Sequence, residues 1–140
     1  MAYATLNDLI QRFGRHEIAA TTTDLDCPRG TVDEARVKQV LDDASAVMDS
    51  YLQRRYKLPV SPVTPVLVRV CCQLARFDLA MGGDNVPSEQ IKSGQQAAMA
   101  WLCDVAAGKA TLDAQAVNET GSIWSRVSTR QTEVNAVALW

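Results

Sequence analysis

Apolar side chains recur through the middle of the chain at the spacing of one helical face. Val37, Val40, Leu41, Ala44, Val47, Met48, Tyr51 and Leu52 fall on a single stripe. Just before it, Thr31-Val32-Asp33-Glu34 reads as a capping box, whose hydroxyl and carboxylate satisfy backbone N–H groups orphaned at a helix start. A long helix is therefore predicted from Thr31, ending in Tyr51-Leu52-Gln53-Arg54-Arg55-Tyr56. Leu58-Pro59-Val60-Ser61-Pro62-Val63-Thr64-Pro65 cannot prolong it, because each proline lacks a backbone donor and biases its predecessor toward extended backbone. Thr64 then offers an N-cap with Pro65 at the first helical position. A second stripe of Val66, Leu67, Val70, Cys71, Leu74, Phe77 and Met81 follows before Gly82.

Shorter signals flank this pair. Thr5-x-x-Asp8 resembles a capping box and precedes Leu6, Leu9, Ile10 and Phe13, with Gly14 as a stop. Arg15 to Ala20 fits one further short turn packed through Ile18, and residues 21–30 read as a turn-rich loop. Ser88 is placed to cap a helix running toward Gly108, with Ile91, Gly94, Ala98, Trp101, Leu102 and Val105 on its stripe and small residues that admit a close neighbour. Past residue 110 the pattern fails. Residues 111–140 are rich in Thr, Ser, Asn and Gln, with sparse apolar positions and one loose alternation, Ile123 to Ser128, that suggests a short strand.

These periods predict an all-α fold: a small bundle of about four helices, two or three of them long. It occupies residues 1–110 and carries a C-terminal arm, 111–140, extended or partly disordered until assembled. With 140 residues and 47% hydrophobic content, one core is the natural outcome. A net charge of −2 gives no global attraction to nucleic acid or anionic lipid. No stretch approaches the roughly 20 apolar residues of a bilayer span, and a basic-then-apolar leader is absent at the start, so a cytosolic protein is expected. The four cysteines lack zinc spacing, and adjacent Cys71 and Cys72 project apart on their helix, so reduced, buried or half-buried structural thiols are expected.

Candidate chemistry is thin. Asp24-x-Asp26 ahead of Gly30 faintly resembles a calcium loop, but Pro28 stands at the third ligand position and no closing Glu follows, so an Asx-stabilised loop is the better reading. His16 is the sole histidine and suits a surface or helix-end position. No phosphate loop, nucleophile constellation or cofactor motif is found, so no enzyme activity, cofactor or small-molecule substrate is expected. Asp42 and Asp49 lie off the apolar stripe, where a solvated or subunit-facing role fits. Arg54, Arg55, Lys57, Arg69 and Arg76 gather positive charge about the crossover. In an acidic chain, pairing within or between subunits is favoured over nucleic acid. Trp124, Arg126 and Trp140 lie in the arm, where large aromatics suit the anchoring of an interface.

Several segments taken in order resemble the Mu-type phage and prophage neck proteins, the head–tail connectors or adaptors of tailed phages. They are Met1-Ala2-Tyr3-Ala4-Thr5-Leu6 with Asp8-Leu9 and Arg12-Phe13-Gly14, Leu41-Asp42-Asp43-Ala44-Ser45, Asp49-Ser50-Tyr51-Leu52 and Arg55-Tyr56-Lys57-Leu58-Pro59. Pro65-Val66-Leu67-Val68-Arg69 and Ala75-Arg76-Phe77 continue the likeness, which covers residues 1–110. It implies a structural virion protein that forms a homo-oligomeric ring below the portal, with tail-side neck proteins beneath. Genomic DNA would pass through its channel without sequence-specific binding. The protein would be made in the host cytoplasm and reside at the virion neck. Cys27-Pro28-Arg29 departs from the Asp- and Gly-rich turn of that family. The competing expectation is a small helical DNA-binding or regulatory module working through Arg54, Arg55 and Arg69, although the crossover is too long for a helix-turn-helix.

Overall fold

The computed structural model describes residues 2–22, 30–60, 62–81 and 86–112. Five helices account for most of them: α1 (Leu6–Phe13), α2 (Arg15–Thr22), α3 (Glu34–Leu52), α4 (Pro65–Ala80) and α5 (Glu89–Ala107). The predicted all-α bundle is thus observed, with five helices in place of about four. The suggested strand at 123–128, the rest of the arm beyond Leu112 and the acidic loop at 24–29 lie outside the described residues.

The predicted caps largely form. Thr5 Oγ1 accepts from the Asp8 N–H at 3.3 Å while the Thr5 N–H donates to the Asp8 carboxylate at 2.9 Å, and Gly14 at φ 93° ends α1. Thr64 caps α4 ahead of Pro65, and Ser88 caps α5. The start of α3 differs from expectation. Its N-cap is Asp33, whose carboxylate accepts from the Arg36 N–H at 3.2 Å. The Asp33 N–H is held by the Thr22 hydroxyl at 3.2 Å, which ties this residue to α2 before the helix begins. At its other end α3 stops at Leu52, short of the predicted Tyr56. The expected single turn after Gly14 is a two-turn helix, because Thr21 and Thr22 satisfy their hydroxyls on carbonyls of Glu17 and Ile18 and so tolerate helical backbone.

Helices α3, α4 and α5 form the body. Val66 and Trp101 share one groove with Gln73 and Gly94, so α4 and α5 run antiparallel, while Arg55, just past α3, covers Gly108 at the end of α5. One end of the body therefore gathers the C-termini of α3 and α5 and the N-terminus of α4. The α1–α2 pair packs on α4 and α3. Leu9, Ile18, Met48, Leu52, Leu67, Leu102 and Val105 are fully buried, each contributing about 1.5–3 kcal/mol of apolar burial. The sequence stripes are wider than the seams. Val47, Val66 and Met81, assigned to them, stand 41%, 45% and 53% exposed, whereas Cys72, Ala75 and Leu79 are the residues that fill the seam. A helix face spans more arc than a neighbouring helix covers, so stripe edges remain open.

Gly94 fulfils the expected close approach. A Cβ there would overlap the Gln73 side-chain amide, whose end would have to swing aside, so glycine lets the two helices meet here with Gln73 in place. The crossover is carried by a cis Leu58–Pro59 bond, with Val60 buried beneath it.

Candidate functional site

Among the described residues no three His, Cys, Asp or Glu side chains gather to hold a metal ion, and no helix is long and apolar enough to cross a membrane. What the fold does build is a set of polar clamps that fix its shape, and a group of open cations at one end.

The first clamp joins the N-terminus to the crossover. The buried Tyr3 hydroxyl donates to the Asp49 carboxylate and accepts from the Val60 N–H at 3.3 Å. The Tyr3 N–H donates to Ser45 Oγ at 2.9 Å, and that hydroxyl donates in turn to the Leu41 carbonyl at 2.8 Å and touches Cys71 Sγ at 3.5 Å. Burial first, and the Asp49 hydrogen bond second, push the Tyr3 phenol up to about 12. Burial raises the Cys71 thiol, and burial followed by Cys71 itself pushes Cys72 up to about 12. Asp49, a candidate interface residue on sequence grounds, is thus engaged within its own subunit.

Arg76 is engaged as well. Its guanidinium meets Glu17 of α2 in a fork, Nη2 at 2.7 Å and Nε at 3.0 Å, and lies 4.3 Å from the centre of the Phe13 ring. This one residue ties α4 to both short helices. Arg76→Met removes the fork and strands the half-buried Glu17 carboxylate, so a loss of about 1–3 kcal/mol is expected in urea unfolding. A loss below a few tenths would show that the pair is solvent-screened and holds nothing.

The remaining candidate cations stay open. Arg54, Arg55, Lys57 and Arg69 are exposed, as is Lys109, and among the described residues none has a carboxylate within 4 Å. They cluster at the end where α3 and α5 finish, and the Arg55 guanidinium sits over Gly108, whose backbone is left-handed at φ 85°. Cations there also complement the negative ends of two helix dipoles. Val63 and Val66 lie exposed beside them, and a groove of about 250 Å³ between α4 and α5 opens next to Arg69 and Trp101.

Toward the C-terminal end of α4, partial desolvation, followed by the charge of Asp43 on α3, raises the Asp78 carboxyl above the ordinary range. Met81 and Val86 are exposed, Val86 by 80%. Asp42, one position along, is exposed and turns instead toward Ala2, Leu6 and Lys38. Trp124, Arg126 and Trp140 lie outside the described residues. Cys103 is exposed, against the expectation of structural thiols, because it falls on the open side of α5. The sequence reading missed Lys109 and Glu17, which carry charge but sit at a helix end and on a helix too polar to show a stripe.

Residues 3–129 match the family model described as Bacteriophage Mu, Gp36. The chain belongs to the Mu Gp36 family. It is 38% identical over 109 residues to "Gene product J" of Escherichia phage Mu, a match covering 78% of this chain and 74% of that protein. It is 35% identical over 108 residues to "Mu-like prophage FluMu protein gp36" of Haemophilus influenzae, covering 69% of this chain and 74% of the relative. The expected kinship with Mu-type phage and prophage proteins is therefore established. The Gp36 family match runs beyond the helical body into the residues that follow Leu112.

Proposed function

We propose that this Gp36-family protein is a structural component of the virion, a head–tail connector or adaptor that completes the head. Its subunits form a ring below the portal, continue the DNA channel and join capsid to tail, with no reaction to catalyse. The observation that carries the reading is the family match over residues 3–129 on a bundle whose internal clamps lock its shape while, among the described residues, Arg54, Arg55, Lys57 and Arg69 stay without a carboxylate partner. Such a subunit contributes geometry: identical copies meet head to tail through a heterologous contact whose rotation closes. The portal would lie above, tail-side neck proteins below, and DNA within, bound without regard to sequence. The residues after Leu112, with Trp124, Arg126 and Trp140, would serve as a tethered arm that raises the effective concentration of its docking partner.

Electron microscopy of the purified protein, alone and with assembled heads, tests this directly. A ring at the tail-attachment vertex is the expected result. Removing residues 113–140 should leave a folded helical body and reduce head–tail joining by about tenfold or more; particles completed at normal yield by the shortened chain would rule out the arm. A DNA-binding or regulatory module is the second reading, favoured by the unpaired Arg54, Arg55 and Arg69. It requires tight, salt-dependent binding of duplex DNA by single subunits.

A further inference from the structure

We infer that the groove between α4 and α5 is the seat of this chain's own Trp124: the segment after Leu112 folds back and lays the indole between Val66, Gln73 and Trp101. The inference stands apart from the connector reading, since it concerns where that segment rests on a single subunit.

The groove suits one flat, apolar group with a single polar atom. Val66, Val70, Ala97 and Trp101 give it apolar walls, Gln73 and Gly94 lie toward one end, and its volume is about 250 Å³. A closed apolar cavity of about 150 Å³ already takes benzene, so an indole fits here. Val66 is exposed although it belongs to the apolar stripe of α4, and an occupant would cover it.

The polar atom narrows the choice. Among the described residues the Gln73 Oε1 is buried with no hydrogen-bond donor, held against the place that a Cβ on Gly94 would occupy. A buried acceptor left unmet costs free energy that an arriving donor recovers. The end of a glutamine turns readily about its last torsion, which carries the oxygen from Gly94 into the groove. Among the large aromatic side chains only tryptophan brings an N–H donor and no acceptor. Arg69, exposed and without a carboxylate within 4 Å among the described residues, would then lie against the indole face, to which a cation is attracted.

Position selects which tryptophan. The Tyr56 hydroxyl holds Leu112 at the end of the body where α5 finishes, and Trp101 of the groove stands about 10 Å along the helix from Gly108. The twelve residues from Leu112 to Trp124 stretch to about 40 Å, so the indole reaches its own groove with slack for the turn. A tether of that length supplies an effective concentration on the order of millimolar, more than a separate molecule offers. Trp124 also falls within the family match at residues 3–129, whereas Trp140 lies beyond it.

Limited trypsin digestion of the full chain tests the inference, because Arg126 follows Trp124 by two positions. A docked segment is cut only when it opens, so cleavage after Arg126 should be about tenfold slower in wild type than in Trp124→Ala. Ala97→Glu, which crowds the groove from an exposed helical position, should abolish the same protection, and Gln73→Leu should weaken it, with circular dichroism confirming the helices. Protection should hold from about 100 to about 1 μM chain, as an intramolecular contact requires. Wild type cut as fast as Trp124→Ala, protection indifferent to both groove variants, or protection lost with Trp140→Ala and kept with Trp124→Ala overturns the inference. So does protection that fades on dilution, which seats Trp124 on a neighbouring copy. Failure to find rings at the head vertex would remove the connector reading and leave this contact standing.

Discussion

Leu102→Ala is expected to cost about 2–5 kcal/mol of unfolding free energy, the largest effect of any single truncation on α5. Leu102 is wholly buried, on the helix that closes the body over α3 and α4. The lost methyl groups remove their transfer energy, and a wholly buried site in a close-packed core refills only in part, so a cavity term adds to it. Urea denaturation followed by far-ultraviolet circular dichroism measures the change. A loss smaller than about 1 kcal/mol would mean that α5 packs loosely and that the body is a two-helix core with an adherent third.

Tyr3→Phe is the second. Below pH 9 the variant should lose about 1–3 kcal/mol, because the Asp49 carboxylate and the buried Val60 N–H both lose their partner while the ring still fills its site. The pH dependence carries a sign of its own. The phenol in the folded chain is raised to about 12 from an ordinary 10, so unfolded chain releases this proton first. Its contribution is complete below pH 10 and fades as pH climbs to about 12. Cys72, raised to about 12 from 9, adds a loss that begins near pH 9. Wild-type stability should therefore fall across pH 9–12, and Tyr3→Phe should flatten the upper part of that decline. Identical alkaline profiles for variant and wild type would show that the phenol ionises in the fold as it does in water.

The helices were legible because their signals are local. Thr5, Thr64 and Ser88 cap where a side-chain oxygen precedes an apolar period, and Gly14 and Gly108 end helices with positive φ. The α3 start was misplaced because two caps compete within three residues, and the winner, Asp33, is chosen by a hydroxyl on α2 that no local window contains. Periodicity overstated the core at Val47, Val66 and Met81 for a related reason: which edge of a stripe is covered depends on where the next helix crosses. The candidate interface was half legible. Sequence shows where cations collect, but Arg76 and Asp49 were separated from the open set only by Glu17 and Tyr3, partners 59 and 46 positions away. The cations that remain open could be named only once those partners were known.

The Tyr56 hydroxyl accepts the Leu112 N–H at 2.7 Å, and Leu112 lies half-buried against the core. That bond nails the root of the following segment to the cationic pole. If the residues after Leu112 act as the proposed arm, anything Trp124 grips would lie inside a sphere of about 40 Å centred there, the reach of twelve fully stretched residues. On that proposal, cutting the nail with Tyr56→Phe would lengthen the leash without altering its anchor, and so should slacken capture while sparing the helices.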